Sequence, residues 1–255
     1  MQFQIDKDLV KDKFLSSIKT YDNHAIIQKE MAENLLNYII EYSGNKFNHI
    51  LEIGSGTGLL TQEIVDKIDF KKLITNDLAS DYKGIIRSIV SNLNVDYQYI
   101  EADAETTLEF PENNDLLISN ATFQWFNNLN KFLLQSKKLL NTNGIIAFTS
   151  FGNDNFKEIK SIYNSGLEYM PLDKILENTE KYYQTIYTHT YKKQLFFNDP
   201  FEVLKHIKNT GVNGLIKNNK IKLKDFFKIY TQNFTEKHGV SLTYNPMFII
   251  LKKKS

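Results

Sequence analysis

The sequence predicts an α/β fold: a doubly wound sheet of seven strands, the last antiparallel, with a helical cap. Three observations carry this. Short β-rich runs alternate with helical patterns over the first 150 residues, which calls for parallel crossovers. A glycine-rich turn joins the first such run to the next helix. Beyond Phe151 the rhythm changes to helices placed around one long strand-like run, followed by a final apolar run at residues 247–251.

Taken in order, Ile27, Met31, Leu35 and Ile39 recur at helical spacing within residues 21–42, placing an amphipathic helix before the first strand. Strands are expected at residues 49–53, 73–76, 97–101, 116–119 and 145–150, separated by helical patterns. The clearest of these helices carries Tyr82, Ile85, Ile86, Ile89, Val90 and Leu93. Helices are then expected at about 155–169 and 171–181, a strand at 185–197, and helices at about 199–210 and 223–234. Strands 6 and 7 are expected to pair antiparallel. Pro246 is awkward inside a strand, so a bulge or a late strand start is expected there. The whole reads as one domain over 1–255. Residues 1–45 form N-terminal lid helices, 46–150 the core, 151–235 cap insertions around strand 6, and 236–255 the last strand.

Composition narrows the function classes. With 255 residues and 42% hydrophobic content the chain can fill a core. Thirty-one Lys plus Arg against 30 Asp plus Glu leave a formal charge of +1, which argues against a polyanion or membrane-surface partner. Cys is absent, which excludes disulfides, thiolate nucleophiles and zinc ribbons and is compatible with a reducing cytoplasm. Apolar runs fall far short of the roughly 20 residues a bilayer span requires. The five His, at 24, 49, 189, 206 and 238, show no tight pairing, so no metal site is expected. Arg87 is the single Arg, which leaves bidentate guanidinium recognition of carboxylates nearly out of reach.

The strongest signal is His49-Ile-Leu-Glu-Ile-Gly-Ser-Gly-Thr-Gly58, followed at once by the helical Leu59, Leu60, Ile64 and Val65. Glycines let the backbone turn sharply and approach a ligand at the carboxyl edge of a sheet. The dinucleotide pattern would need a third Gly where Leu59 stands, and no Gly-Lys-Ser or Gly-Lys-Thr of a P-loop follows. The G-x-G-x-G spacing with Glu52 two residues before Gly54 resembles motif I of class I S-adenosylmethionine-dependent methyltransferases, which share a Rossmann-like sheet. Asp77 ends the second strand, 23 residues after Gly54, where a carboxylate accepts from both ribose hydroxyls. The resemblance implies that Asp103 and Ala104 meet the adenine, that Asn120 faces the methionine end, and that Ser55, Gly56, Leu78 and Gln28 complete the cofactor site.

Two further segments, Tyr21-Asp-Asn-His-Ala-Ile-Ile-Gln-Lys-Glu-Met-Ala32 and Ser119-Asn-Ala-Thr-Phe-Gln-Trp-Phe126, resemble the malonyl-acyl-carrier-protein O-methyltransferases of biotin synthesis. So do the stretches ending at Ser150, Gly214 and Tyr244, so the resemblance spans most of the chain. It implies methylation of the free malonyl carboxylate on an acyl carrier protein, or on malonyl-CoA, masking a charge. A carboxylate with a pKa near 4 is already ionised at neutral pH, so it needs positioning, not a base. Tyr21, Trp125 and Phe126 are the expected catalytic side chains, with Phe123 adding to a dry aromatic pocket and Tyr21 donating to the carboxylate. His24, Phe123 and Gln124 are the expected substrate contacts. In the absence of a nearby Arg, either Lys, Tyr and Asn groups hold the carboxylate or the substrate differs. Lys217, Lys220, Lys222 and Lys224 form a candidate face for an acidic carrier protein. The alternatives are a methyltransferase for a small carboxylic acid or quinone-like ring, and a non-catalytic S-adenosylmethionine-binding assembly factor.

Overall fold

A computed structural model describes residues 4–107, 109–164, 166–211 and 221–254. The chain opens with three helices, α1 (Lys7–Ser17), α2 (Tyr21–His24) and α3 (Ile26–Ser43). The parallel core follows as β1 (Lys46–Ile53), α4 (Leu59–Lys67), β2 (Asp69–Asp77), α5 (Lys83–Val90), β3 (Asp96–Glu101), β4 (Asn114–Ser119), α6 (Leu129–Ser136) and β5 (Leu140–Phe151). Then come α7 (Lys157–Tyr163), α8 (Leu172–Thr179), β6 (Tyr183–Thr190), β7 (Lys193–Phe197), α9 (Pro200–Asn209) and α10 (Leu223–Phe234). The chain closes with β8 (Thr235–Glu236), β9 (Gly239–Tyr244) and β10 (Pro246–Lys253).

Seven strands form one sheet in the order β3-β2-β1-β4-β5-β10-β6, with β10 antiparallel to both β5 and β6. The alternation of side chains along each strand divides the core between two faces. Ile50, Leu116, Ile118, Ala147, Phe248 and Ile250 join the buried residues Met31, Leu35 and Ile39 of α3 and Ile64 of α4. Their neighbours Leu51, Leu117, Ile146, Phe148, Ile249 and Leu251 face the opposite way, onto Phe132 and Leu133 of α6 and Ile175 of α8. Strands covered on both faces read as continuous apolar runs, as residues 246–251 do.

Several expected elements differ in detail. The helix expected over 21–42 breaks at Ala25, giving α2 and α3, and α1 lies ahead of them within the expected lid segment 1–45, where the sequence pattern assigns no helix bounds. The helix expected at about 155–169 shrinks to α7, because Phe156 and Asn164 at its two ends adopt positive φ of 55° and 46°. Between β3 and β4 the described residues form no helix, so that crossover is a loop. The single strand expected at 185–197 is two. β6 pairs with β10, whereas β7 leaves the main sheet for a small one of order β7-β9-β8. The strands they pair with divide at the same level, between β9 and β10, where Asn245 Nδ2 donates to Tyr191 O at 2.8 Å and Thr190 Oγ1 at 3.0 Å. Pro246 is the first residue of β10, the late start the sequence suggested, and the register shift against β6 lies further on, between Ile250 and Leu251. Gly214, Lys217 and Lys220 lie outside the described residues, while Lys222 and Lys224 are exposed beside the start of α10. Among the described residues no helix is long and apolar enough to cross a membrane.

Candidate active site

The strand order reverses between β1 and β4, and the carboxyl ends of β1 to β4 open there into a cleft. After β1 the chain turns through Gly54, Gly56 and Gly58 at φ of 73°, 49° and 90°. Gly54 and Ser55 donate their backbone N–H groups to Asn76 O at 2.8 and 2.9 Å, which presses the turn against the end of β2. Gly56 donates to Asp77 Oδ2 at 2.8 Å, and Ala79 N donates to Asp77 Oδ1 at 3.2 Å. Each oxygen of Asp77 thus keeps acceptor capacity toward the cleft, and burial raises its pKa above the ordinary carboxylate value. A Cβ built on Gly56 would meet nothing within 4 Å, so this part of the turn borders open space. Leu78, Asp103, Ala104, Asn120, Gly54 and Ser55 also line the cleft.

Glu52 does not reach it. This residue is wholly buried beneath the turn, where its Oε2 accepts from Thr61 Oγ1 at 2.7 Å and its Oε1 has no partner. Its place in the expected cofactor set follows from motif spacing, but strand alternation turns its side chain away from the ligand. Burial pushes its pKa up to about 8 from 4.5; the hydroxyl of Thr61 opposes the shift and the charge of Asp77 adds to it. The folded chain therefore holds one more proton than the unfolded chain between these values. Stability from this group is complete below about pH 4.5 and is lost as pH rises through about 8. Glu52→Gln abolishes that dependence. Urea unfolding of the ligand-free protein from pH 5 to 9 is expected to show wild type losing roughly 3–5 kcal/mol more than the variant across the range. Parallel curves would contradict the assignment.

The N-terminal helices close the cleft from above. Lys7 Nζ pairs with Asp103 Oδ1 at 2.9 Å and Glu105 Oε2 at 2.8 Å and lies 4.7 Å from the Phe126 ring centre. Ile5 and Asn127 exchange two hydrogen bonds, and Thr57 Oγ1 donates to Asp22 at 2.6 Å, tying α2 to the glycine turn. Lys7, Val10, Lys11 and Phe14 of α1 all line the cleft. Sequence reasoning missed them, although Val10 and Phe14 stand one helical turn apart behind Asp6, which caps α1 by accepting from Leu9 N at 3.0 Å.

Phe14, Tyr21, Ala121 and Trp125 line both the cleft and a small inner cavity behind it. The edge of Phe14 packs on Trp125 at 5.5 Å between ring centres. Ala121 holds a strained φ of 51° at the end of β4, anchored by its N–H to Thr149 Oγ1 at 2.9 Å. Thr149 in turn donates to Asn120 Oδ1 at 2.6 Å, and Asn120 Nδ2 donates to Gln28 O at 2.9 Å. Burial and then the charges of Asp22 and Asp77 raise the phenol of Tyr21, which keeps it protonated. Among the described residues, three buried polar atoms of side chains that line the inner cavity lack partners: Gln28 Oε1, Gln124 Oε1 and Trp125 Nε1. An orphaned buried donor or acceptor costs stability unless a ligand or water meets it.

The expected site residues therefore fall into groups. Tyr21 and Trp125 stand between the two cavities and Phe126 in the cleft wall. Gln28 and Gln124 line the inner cavity, not the cleft. Phe123 lies in neither; it is 1% exposed and packs on Phe126, Phe132 and Phe148, because the short turn at residues 123–125 points it into the core. His24 also lies outside both cavities, its Nε2 3.0 Å from Asn209 Nδ2 and its ring 6.2 Å from that of His206. The helix break at Ala25 turns it toward α9. Arg87 is exposed on α5, away from both cavities.

Residues 51–148 match the family model described as a methyltransferase domain. Malonyl-[acyl-carrier protein] O-methyltransferases are similar along nearly the whole chain. That of Chlorobium phaeovibrioides is 33% identical over 253 residues, 98% of this chain and 97% of its own. That of Haemophilus influenzae is 32% identical over 252 residues, 97% of this chain and 95% of its own. Among solved structures, a protein of Bacillus halodurans C-125 superposes with a TM-score of 0.64 at 15% identity, covering 87% of this chain and 99% of that one. The N-methyltransferase NodS of Bradyrhizobium japonicum, solved with S-adenosyl-L-homocysteine, gives 0.55 at 11% identity over 92% of this chain and 99% of its own. At such identities these two likenesses concern the fold.

Proposed function

The chain belongs to the malonyl-[acyl-carrier protein] O-methyltransferases, and from that premise we propose that it esterifies the free carboxylate of a malonyl group carried on an acyl carrier protein. S-adenosylmethionine is the cofactor. The observation that carries the reading is the pair of joined cavities: a cleft with the acceptors of Asp77 at one end, and an uncharged chamber beyond Tyr21 and Trp125 at the other.

When bound, the cofactor supplies an electrophilic methyl group on a sulfonium. In this reading Asp77 accepts from the ribose hydroxyls, while the open face at Gly56 and Ser55 and the Asn120 side chain border the methionine end. Leu78 and Ala104 would hold the base, with Asp103, restrained by Lys7, available to it as an acceptor. Phe14, Tyr21 and Trp125, which line both cavities, would exclude water where the two meet. The chain's own part would be to hold a carboxylate oxygen against that methyl group, which would transfer with the carbon–sulfur bonding pair left on sulfur. Two opposite charges are annihilated, so a water-poor chamber does not oppose the step as bulk water does. No base is needed, because the nucleophile is ionised at neutral pH. The exposed Lys222 and Lys224 belong to the face expected to meet the acidic carrier.

The test is methyl transfer from labelled S-adenosylmethionine to malonyl carrier protein, malonyl-CoA and free dicarboxylic acids in parallel. Label is expected on a malonyl thioester. Label on free acids alone would overturn the substrate, and cofactor binding without transfer to any of them would overturn the activity.

A further inference from the structure

A carboxylate entering the inner cavity needs hydrogen-bond donors, and the described lining contains no Lys, Arg or His. The orphaned oxygen of Gln124 is no help: its Nε2 is committed to Ala121 O at 2.6 Å, which leaves an acceptor. Tyr169 is different, and its direction of donation follows from its neighbours. The backbone N–H of Asn245 can only donate, and it lies 3.2 Å from Asn155 Oδ1. That fixes the Asn155 amide with Nδ2 toward the Tyr169 hydroxyl, 2.8 Å away. The tyrosine oxygen therefore accepts, and its own proton has no acceptor among the described residues. Asn155 is 1% exposed and Tyr169 7% exposed, so neither relies on bulk water. The Lys160 ammonium lies 4.5 Å from the Tyr169 ring centre, a cation–π contact that holds the ring in place. Trp125 lines the same cavity, and its Nε1, a group that only donates, is buried and has no partner among the described residues.

We propose that the Tyr169 hydroxyl and the Trp125 indole N–H are the two donors that hold the substrate's free carboxylate, and that Asn155 is the positioning residue that turns the Tyr169 proton into the cavity. The assignment rests on the carboxylate-methylation reading above. It supplies a clamp of neutral donors where a guanidinium is absent. A neutral clamp also suits the chemistry, since a fixed cation would stabilise the carboxylate more than the transition state in which its charge disappears.

The test begins with wild type turning over malonyl carrier protein; failure at that step overturns the substrate reading itself. With turnover in hand, Tyr169→Phe is expected to raise KM for the malonyl carrier roughly 10- to 100-fold, the scale of one hydrogen bond to a charged group. S-adenosylmethionine affinity should stay within about twofold of wild type, since the lost donor lies outside the cleft. Asn155→Asp keeps the side chain's shape and its acceptor for Asn245 N but makes both ends acceptors, so it draws the Tyr169 proton out of the cavity. It should raise KM as Tyr169→Phe does, and the double variant should be no worse than Tyr169→Phe alone. Because Trp125 is the only Trp, its emission should also change when malonyl-pantetheine is added to the folded wild type with S-adenosylhomocysteine. Unchanged KM in Tyr169→Phe, additive losses in the double variant, or a parallel loss of cofactor affinity would overturn the proposal.

Discussion

Asp77→Ala is expected to weaken S-adenosylmethionine binding by roughly 100- to 1,000-fold, measured by calorimetry. The carboxylate holds the glycine turn through Gly56 N at 2.8 Å, and it faces the cleft with its remaining lone pairs. Truncation removes two charge-assisted acceptors for the ribose and leaves the Gly56 donor unpaired. Asp77→Asn should fall between the two, since one end of an amide still accepts. Both variants should retain the far-UV circular dichroism of the wild type. An Asp77→Ala protein that binds cofactor as tightly as wild type would remove the ribose role.

Gly54→Val should abolish measurable cofactor binding and lower the melting temperature. A Cβ at Gly54 would sit 2.2 Å from Thr122 Oγ1 and 2.4 Å from its Cγ2, on a backbone at φ of 73° that a β-branched residue resists. Thr122 cannot retreat freely, because its hydroxyl donates to Asn120 O at 3.2 Å within the turn after β4. Gly56→Ala is the contrasting case: its added methyl meets no protein atom within 4 Å, so the larger share of its effect should be on binding. Equal losses of stability in the two variants would contradict this division. Measurable binding by Gly54→Val would show that the turn can rearrange around the ligand.

The parallel core was legible because β1, β2, β4 and β5 each carry an apolar run and the glycine turn marks the first crossover. Asp77, Asp103 and Asn120 were legible for a related reason: successive parallel strands end at one edge, so residues at strand ends meet. The cap was harder to read. Residues 183–197 are rich in aromatic and Thr residues throughout, and nothing local marks where β6 passes into β7. The division is set across the sheet by Asn245 and Pro246. Phe123 and Trp125 occupy neighbouring places in one aromatic segment, yet one is core and the other faces both cavities. A single short helical turn makes that difference, and periodicity does not resolve it. Tyr169 carried no motif. Its donor direction depends on Asn155 and Asn245, residues 14 and 76 positions away, which only the folded chain brings together.

The central claim is that a malonyl carboxylate, and not another acceptor, receives the methyl group. Intact mass measurement of malonyl carrier protein after incubation with the enzyme and S-adenosylmethionine addresses it directly. The account predicts a gain of one CH₂ unit on the malonyl-bearing species, lost together with the acyl group when the thioester is cleaved and not seen with acetyl carrier protein. An unchanged mass, or an equal gain on the acetyl species, would contradict it.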